Sequence, residues 1–211
     1  MNKTNYQREL DRLIDQLDES GEHTKTLLLH SCCAPCSSYC IEYLSQYFII
    51  TVFYYNPNLY PDDEYRHRSS EQKRLISEMK TKYPVSYIDE NFDSSEFYTA
   101  VQGLEKEPEG GMRCKKCFEL RLSKTAEKAA QFHFDYFSTT LTISPLKDAQ
   151  LLNQIGCEMG KKYGVLFLPS DFKKKNGYKR SIELSGEYGL YRQDYCGCVF
   201  SKMERDMKNR V

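Results

Sequence analysis

The sequence lacks the features of a membrane, secreted or strongly charged protein. No apolar run approaches the roughly 18 residues that a transmembrane helix requires. Residues 1–8 contain no apolar segment typical of a signal peptide, so we expect a cytoplasmic location and no membrane partner. The 30 basic residues balance the 30 acidic ones. The composition therefore gives no global sign of nucleic-acid binding, and any such contact must come from local patches.

What the sequence does have is cysteine, at nine positions in 211. Cytosolic thiols are kept reduced, so clustered cysteines there favour metal or redox chemistry over structural disulfides. Cys40 and Cys157 lie within helical patterns among apolar neighbours, and we expect both to be small core residues. The other seven stand in turns or at helix starts: Cys32, Cys33, Cys36, Cys114, Cys117, Cys196 and Cys198.

The first of these clusters follows a predicted buried strand. Residues 26–29 form a short apolar run, residues 31–35 turn the chain, and a helix is predicted from Cys36 onward. Free backbone N–H groups and the helix dipole both stabilise negative charge at such a helix start. The sequence therefore predicts that thiolates form here, at the mouth of a sheet.

Strands alternate with helices along the sequence, which predicts an α/β fold, a single Rossmann-like domain with a mainly parallel sheet flanked by helices. Ligands of such sheets bind beyond the carboxyl ends of the strands, so we expect the metal site at that edge. We predict a metal-binding catalytic domain over residues 26–200, with an N-terminal helical extension (1–25) and a C-terminal helical tail (201–211). The predicted strands are 26–29, 48–55, 85–88, 134–138 and 165–168, and the predicted helices include 4–19, 62–82, 94–103 (with Ser94 as its N-cap), 113–131 and 148–163.

The seven clustered cysteines leave three interpretations open. Cys-x2-Cys pairs are the usual ligands of structural zinc, but such a site would leave three cysteines unexplained. The segment Cys33–Cys36, after a strand and at a helix start, also matches a thioredoxin-like thiol oxidoreductase, but that interpretation ignores the other cysteine pairs. A [4Fe-4S] cluster would use four thiolates and leave three for a second metal, held with His30, Asp194 or Tyr195 and open to substrate.

Taken together, the motifs resemble one known family, the cobalamin-independent epoxyqueuosine reductases (QueH). The resemblance runs from about residue 26 to residue 200, and only the N-terminal helix and the C-terminal tail fall outside it. The motifs stand in the family's order: Leu29–Cys36 (LHSCCAPC), Phe53–Asn58 (FYYNPN), Tyr65–Arg68 (YRHR), Arg113–Phe118 (RCKKCF), Phe137–Pro145 (FSTTLTISP) and Tyr191–Cys198 (YRQDYCGC).

The resemblance implies an oxidoreductase of tRNA modification. The family reduces epoxyqueuosine at the anticodon wobble position of a tRNA to queuosine, which is the last step of queuosine biosynthesis. It also implies a [4Fe-4S] cluster beside a second metal, expected to be iron, and an external electron donor. Asp194, Tyr195 and His30 are candidate acids because they neighbour the cysteines in sequence. The sequence does not divide the seven cysteines between the cluster and the second metal.

Several basic residues are candidates for contact with the tRNA. Anticodon loops are recognised through splayed bases that stack on aromatic rings and through backbone contacts. Solvated surface charge is the ordinary alternative for such residues. The candidates are Arg66, His67 and Arg68, then Arg113, Lys115 and Lys116 beside the second cysteine pair, and Lys173, Lys174, Lys175, Lys179 and Arg180 before the third pair.

Two rival classes have features that distinguish them. Adenylating tRNA thiolases share the expected architecture but need a glycine-rich pyrophosphate loop after the first strand. Residues 31–36 contain no glycine, so ATP dependence is not expected. A non-catalytic zinc module that binds RNA would be colourless and redox-silent when purified.

Overall fold

Five parallel strands in one sheet form the centre of the fold. The computed structural model describes residues 3–20 and 24–209. The strands are β1 (Thr26–His30), β2 (Ile49–Tyr54), β3 (Val85–Asp89), β4 (Tyr136–Thr139) and β5 (Leu166–Phe167). Their order across the sheet is β3-β2-β1-β4-β5, and each neighbouring pair is parallel.

Helices connect the strands and cover the sheet. A 3-10 helix (Thr140–Ile143) continues directly from β4. The α-helices of the described residues are α1 (Tyr6–Ser20), α2 (Ala34–Leu44), α3 (Asp62–Glu78), α4 (Ser94–Ala100), α5 (Met112–Gln131), α6 (Ala149–Tyr163), α7 (Gly177–Glu187) and α8 (Val199–Lys208).

The central strand β1 is buried on both of its faces. Leu27 and Leu29 share one apolar cluster with Leu10 of α1, while Leu28, on the opposite face, shares another with Phe137 of β4. All five side chains are fully buried. A parallel strand covered on both faces is apolar at consecutive positions, which is why this run shows no polar alternation. The predicted α/β fold with a parallel sheet is confirmed, and the first cysteine cluster lies at the carboxyl end of β1.

Several helix boundaries differ from the prediction; for example, α1 begins at Tyr6 rather than at residue 4, and α4 ends at Ala100 rather than at residue 103. Helix α2 begins at Ala34 rather than at Cys36, because Pro35 fits the first turn of a helix, where no backbone N–H is needed. Helix α3 ends at Glu78 rather than at Lys82, because the backbone becomes extended at the next residue, with φ −69° and ψ 132°.

Two side-chain predictions were also wrong. The N-cap of α4 is Asp93, whose carboxylate accepts a hydrogen bond from the Ser95 N–H at 2.9 Å, and Ser94 is the first residue of the helix. Cys157 is exposed on α6 rather than in the core, whereas Cys40 is fully buried as predicted.

The C-terminal helix packs on the rest of the protein. Helix α8 begins at Val199, just before the predicted boundary at residue 200, and Phe200 packs in one cluster with Phe97 of α4. The division into three segments stays a prediction. Within residues 3–20 and 24–209, no helix has both the length and the apolar character needed to cross a membrane.

Candidate metal centre

The carboxyl end of β1 brings the first three thiols to one point. Cys33 is the N-cap of α2, and Cys36 lies in the first turn of that helix. The sulfur atoms of Cys32, Cys33 and Cys36 all lie within 4.8 Å of one another. Those of Cys32 and Cys33 are 3.7 Å apart. Three soft donors that meet in this way can bind a metal ion or cluster.

The other two cysteine pairs come from distant parts of the chain and reach the same region. Cys114 and Cys117 lie near the start of α5, and Cys198 is the N-cap of α8. Cys117 and Cys198 belong to one buried cluster. Cys114 packs together with Cys32 against a second cluster. The structure therefore brings members of all three cysteine groups to one end of the sheet.

An open cavity of about 230 Å³ lies beside these thiols. Cys32, Cys36 and Cys196 line it, so a molecule in the cavity would contact sulfur from the first and third cysteine groups. This is the place where a substrate could meet a bound metal. The wall also contains Arg121, Leu146, Lys147, Tyr178, Arg192, Asp194 and Tyr195.

The thiols at the end of β1 differ in acidity. Hydrogen bonds from Cys33 and then Cys36 lower the pKa of Cys32 well below its usual range. Burial opposes this shift, and the positive charges of Lys147 and Arg121 add to it. The hydrogen bond with Cys32 raises the pKa of Cys33 to about 12. Cys32 is therefore the most acidic thiol of the group, and the thiolate is the form in which cysteine binds a metal.

Arg121 is a buried cation in the cavity wall that the sequence analysis missed. Its guanidinium donates to Asn56 Oδ1 at 2.6 Å and to His30 Nε2 at 3.2 Å. A third N–H faces the Cys117 sulfur at 3.9 Å. Arg121 follows Cys117 by four residues on α5, and this i, i+4 spacing is the signal that could have found it.

Lys147 is a second cation in the wall that the sequence analysis missed. It lies in the loop between the 3-10 helix and α6 and is half-buried. Burial alone would lower the pKa of Lys147, but the charges of Cys196, Cys32 and Cys36 raise it above its usual range. No periodicity or motif marks this residue, so only the folded chain reveals it.

His30 is fully buried and is not part of the cavity wall. Its Nδ1 is 2.9 Å from Thr139 Oγ1, and its Nε2 accepts the hydrogen bond from Arg121. Burial and, next, the charge of Arg121 together lower the pKa of His30 to about 3. The imidazole is therefore neutral near pH 7, and its contacts hold the Arg121 guanidinium in place.

Asp194 and Tyr195 both line the cavity. Asp194 is exposed and forms an ion pair with Arg205 of α8. Two guanidinium groups lie within cation–π distance of the Tyr195 ring, whose centroid is 5.3 Å from Arg68 Cζ and 5.1 Å from Arg205 Cζ. Its hydroxyl donates to the carbonyl of Tyr60 at 2.8 Å. Two of the three candidate acids thus lie where a bound molecule could reach them.

Arg66, His67 and Arg68 have different surroundings on α3. Arg68 is 1% exposed, pairs with Glu64 at 2.7 Å and donates to the Cys196 carbonyl at 3.4 Å. Arg66 and His67 are exposed. Only Arg68 therefore reaches the cysteine region directly.

Arg113 is tied into the protein, whereas Lys115 and Lys116 are more accessible. Arg113 donates to the Glu105 carbonyl at 2.9 Å and pairs with Glu204 of α8 at 3.2 Å, so it fastens the loop before α5 to α8. Lys115 is half-buried and Lys116 exposed, and each pairs with an acidic residue one turn further along α5.

The basic run at residues 173–180 contains paired and unpaired side chains. Lys173 and Lys175 each form an ion pair, at 2.6 and 2.8 Å respectively. Arg180 pairs with three glutamates. Lys174 and Lys179 are exposed, and the described residues offer neither of them a carboxylate within ion-pair distance.

Comparisons with known proteins point to one family. A family model described as "Epoxyqueuosine reductase QueH" matches residues 27–204. A similar protein from Staphylococcus epidermidis is 44% identical over 207 residues, which cover 96% of this chain and 87% of the relative. One from Streptococcus pyogenes serotype M1 is 46% identical over 204 residues, which cover 94% of this chain and 78% of the relative. One from Thermotoga maritima is 35% identical over 190 residues, which cover 87% of this chain and 94% of the relative. All three relatives are named epoxyqueuosine reductase QueH.

Proposed function

The chain belongs to the epoxyqueuosine reductase QueH family, and from this premise we propose that it reduces epoxyqueuosine to queuosine in a tRNA, the last step of queuosine biosynthesis. The protein is then an oxidoreductase of tRNA modification. The observation that carries the proposal is the convergence of three cysteine groups, distant in sequence, beside one open cavity.

The reaction needs electrons beside the substrate. It consumes two electrons and two protons, forms the alkene from the epoxide and releases the oxygen as water. We propose that four of the seven cysteines hold a [4Fe-4S] cluster and that the others help to hold a second metal, an iron ion. When bound, this group supplies electrons from an external donor and a Lewis acid for the epoxide oxygen.

The surroundings of the sulfur atoms support an iron–sulfur group. Thiolates are the ligands that such clusters take, and hydrogen bonds to sulfur set their properties. The Gly110 N–H donates to the Cys114 sulfur at 3.2 Å, and the Gln193 amide donates to the Cys33 sulfur at 2.9 Å. These donors stabilise negative charge on sulfur, as a metal–thiolate centre requires.

We assign proton delivery to Tyr195 and Asp194. Burial raises the pKa of Tyr195, and the charge of Glu64 adds to the shift, so the hydroxyl keeps its proton until a substrate takes it. The flanking guanidinium groups fix the ring and stabilise the phenolate that a transfer leaves behind. Asp194 precedes Tyr195 in the chain and is exposed, and we assign to it the return of a proton from solvent. His30 acts by positioning Arg121.

The rim of the cavity fits a nucleotide presented by an anticodon loop. Leu146 is 79% exposed and Tyr178 37% exposed, which gives bases apolar and aromatic surfaces to stack on. Arg192, also exposed, adds a positive charge at the same rim. Lys179 follows Tyr178 directly and Lys174 lies four residues before it; both are exposed and free to contact phosphates. A tRNA substrate also fits the cytoplasmic location that the sequence predicts.

The test is to purify the protein anaerobically and to assay it with tRNA that carries epoxyqueuosine and a chemical reductant. We expect broad absorption near ~400 nm that the reductant bleaches, more iron than sulfide, and conversion to queuosine in nucleoside analysis. A colourless protein that binds zinc alone and converts nothing would overturn the proposal and favour an RNA-binding zinc module. Disulfide reduction by metal-free protein without conversion would favour the thioredoxin-like interpretation.

Single cysteine variants identify which thiols the reaction needs. We expect each alanine variant of the seven clustered cysteines to lose turnover. The matched control is Cys157→Ala, because this exposed thiol on α6 is not part of the cysteine region and should keep full activity. If most single variants stay active and keep their iron, the proposal of a cluster with a second metal is wrong.

A further inference from the structure

Two cations at the cavity have no acidic partner. Arg121 is 2% exposed and Lys147 is half-buried, and the described residues place no carboxylate within ion-pair distance of either. The other buried arginines differ, because Arg68 pairs with Glu64 at 2.7 Å and Arg113 contacts Glu204. A buried charge without a counter-ion is strongly destabilising, so a group other than a carboxylate must compensate Arg121. The half-buried Lys147 shares the cavity wall with it.

The contacts of Arg121 leave its charge unneutralised. Two of its hydrogen bonds go to uncharged acceptors, Asn56 Oδ1 at 2.6 Å and His30 Nε2 at 3.2 Å. These acceptors are themselves fixed, because Asn56 donates to the Ser31 carbonyl at 2.9 Å. The guanidinium is thus held rigidly by neutral groups. Its remaining contact is with the Cys117 sulfur at 3.9 Å, which carries a negative charge when it is a thiolate.

The two cations stand on different elements around the same thiols. Arg121 projects from α5 and Lys147 from the loop before α6, and both line the cavity together with Cys32, Cys36 and Cys196. Thiolates, alone or bound to a metal, are therefore the anions that the fold offers to these charges.

We propose that Arg121 and Lys147 are the internal counter-cations of the thiolate-bound metal group and that they favour its reduced form. This inference rests on the proposed function, since it requires the cysteines to hold a redox-active group. Each electron that such a group accepts adds one negative charge. The fixed charge of Arg121 stabilises that negative charge more than a surface cation would, because Arg121 is buried where the effective dielectric constant is lower than in water. Net charge and hydrogen bonding are the means by which proteins set cluster potentials.

The test compares Arg121→Gln and Lys147→Gln with the wild type in an anaerobic redox titration, followed by absorption and electron paramagnetic resonance. At a fixed applied potential, we expect the ratio of reduced to oxidised cluster to fall at least tenfold in Arg121→Gln. A tenfold change corresponds to a reduction potential lower by about 59 mV for a one-electron couple. Lys147→Gln should shift in the same direction. Arg121→Lys should keep most of the wild-type ratio, because it keeps the charge.

Arg74→Gln is the matched control. It removes the same charge, but Arg74 already pairs with Glu71 and Glu78 on α3, so its ratio should stay within twofold of the wild type. If Arg121→Gln does not fold, Lys147→Gln decides the question.

The outcomes separate this inference from the proposed function. Loaded Gln variants that titrate like the wild type would overturn the inference and leave the reductase proposal intact. A Lys147→Gln variant that loses tRNA affinity with an unchanged potential would also overturn it for that residue. A wild-type protein that holds no redox-active metal would instead overturn the proposed function.

Discussion

Replacing Gly197 with alanine tests how closely the loop between Cys196 and Cys198 is fitted to the site. Gly197 has a φ of +127°, a conformation that other residues rarely adopt. Its carbonyl accepts a hydrogen bond from the Tyr60 N–H at 2.9 Å. A Cβ atom there would lie 2.4 Å from Leu59 Cδ2 and 3.1 Å from Arg68 Nη1. Alanine must therefore strain the backbone and displace a buried leucine.

The magnitude follows from these two costs. A residue held in such a backbone conformation costs on the order of 1–3 kcal/mol, and moving Leu59 off its preferred rotamer costs about 0.5–1.5 kcal/mol. We expect Gly197→Ala to lose about 2–4 kcal/mol of stability. For a chain of this size that corresponds to a fall in Tm of roughly 4–16 °C.

The assay compares the Tm of the metal-loaded Gly197→Ala variant with that of the wild type, and iron content is measured in parallel. Two control glycines separate the causes. Gly164 has a φ of +71° but nothing within 4 Å of its Cβ position, so Gly164→Ala reports backbone strain alone. Gly186 lies inside α7 with neither constraint, and Gly186→Ala should stabilise the protein slightly. A Tm for Gly197→Ala equal to that of the wild type would refute the reasoning.

Three further predictions address the chemistry, the tRNA and the pH dependence. Tyr195→Phe keeps the ring beside its two guanidinium groups but removes the hydroxyl. Turnover should therefore fall by about a hundredfold with unchanged iron content. Unchanged turnover would exclude Tyr195 as the acid. The double variant Lys174→Glu, Lys179→Glu should weaken tRNA binding, and most strongly at low salt. The control variant Lys161→Glu on α6 should leave tRNA affinity unchanged. Equal losses of affinity in both variants would indicate a general charge effect. Burial and the charge of Arg121 lower the pKa of His30 to about 3, so the unfolded chain binds an extra proton below about pH 6.5. Stability should therefore fall on acidification by up to about 1.4 kcal/mol per pH unit. The slope of Tm between about pH 7 and about pH 5 should be shallower in His30→Gln; parallel slopes would contradict this assignment.

The centre of the sheet was predictable because β1 is buried on both faces. Its consecutive apolar residues Leu27, Leu28 and Leu29 are typical of a parallel strand covered by helices on both sides. Helix boundaries were less predictable where one residue decides them, as Pro35 does by starting α2 earlier than the apolar pattern indicates. Burial was also harder to predict, because Cys157 follows helical spacing yet faces solvent.

The candidate site was predictable where chemistry is local and not where it depends on distant contacts. The cysteine groups are visible as motifs because their spacing is short. Arg121 and Lys147 become neighbours of the thiols only when α5 and the loop before α6 meet at the end of β1. In the same way, Arg68, Arg113 and Arg180 cannot be told apart by side-chain type alone. Their different acidic partners in the fold are what distinguish them.

The order of the cysteines along the sequence has a consequence for how the candidate site assembles. The first thiols follow β1, whereas Cys196 and Cys198 come after all five strands of the sheet and are held by the Tyr60 contact to Gly197 and by α8. The three cysteine groups therefore meet only after the whole sheet has been synthesised and has folded. Under the proposed function, a fragment that ends before residue 196 would present an incomplete set of sulfur ligands, and metal loading would follow folding of the sheet.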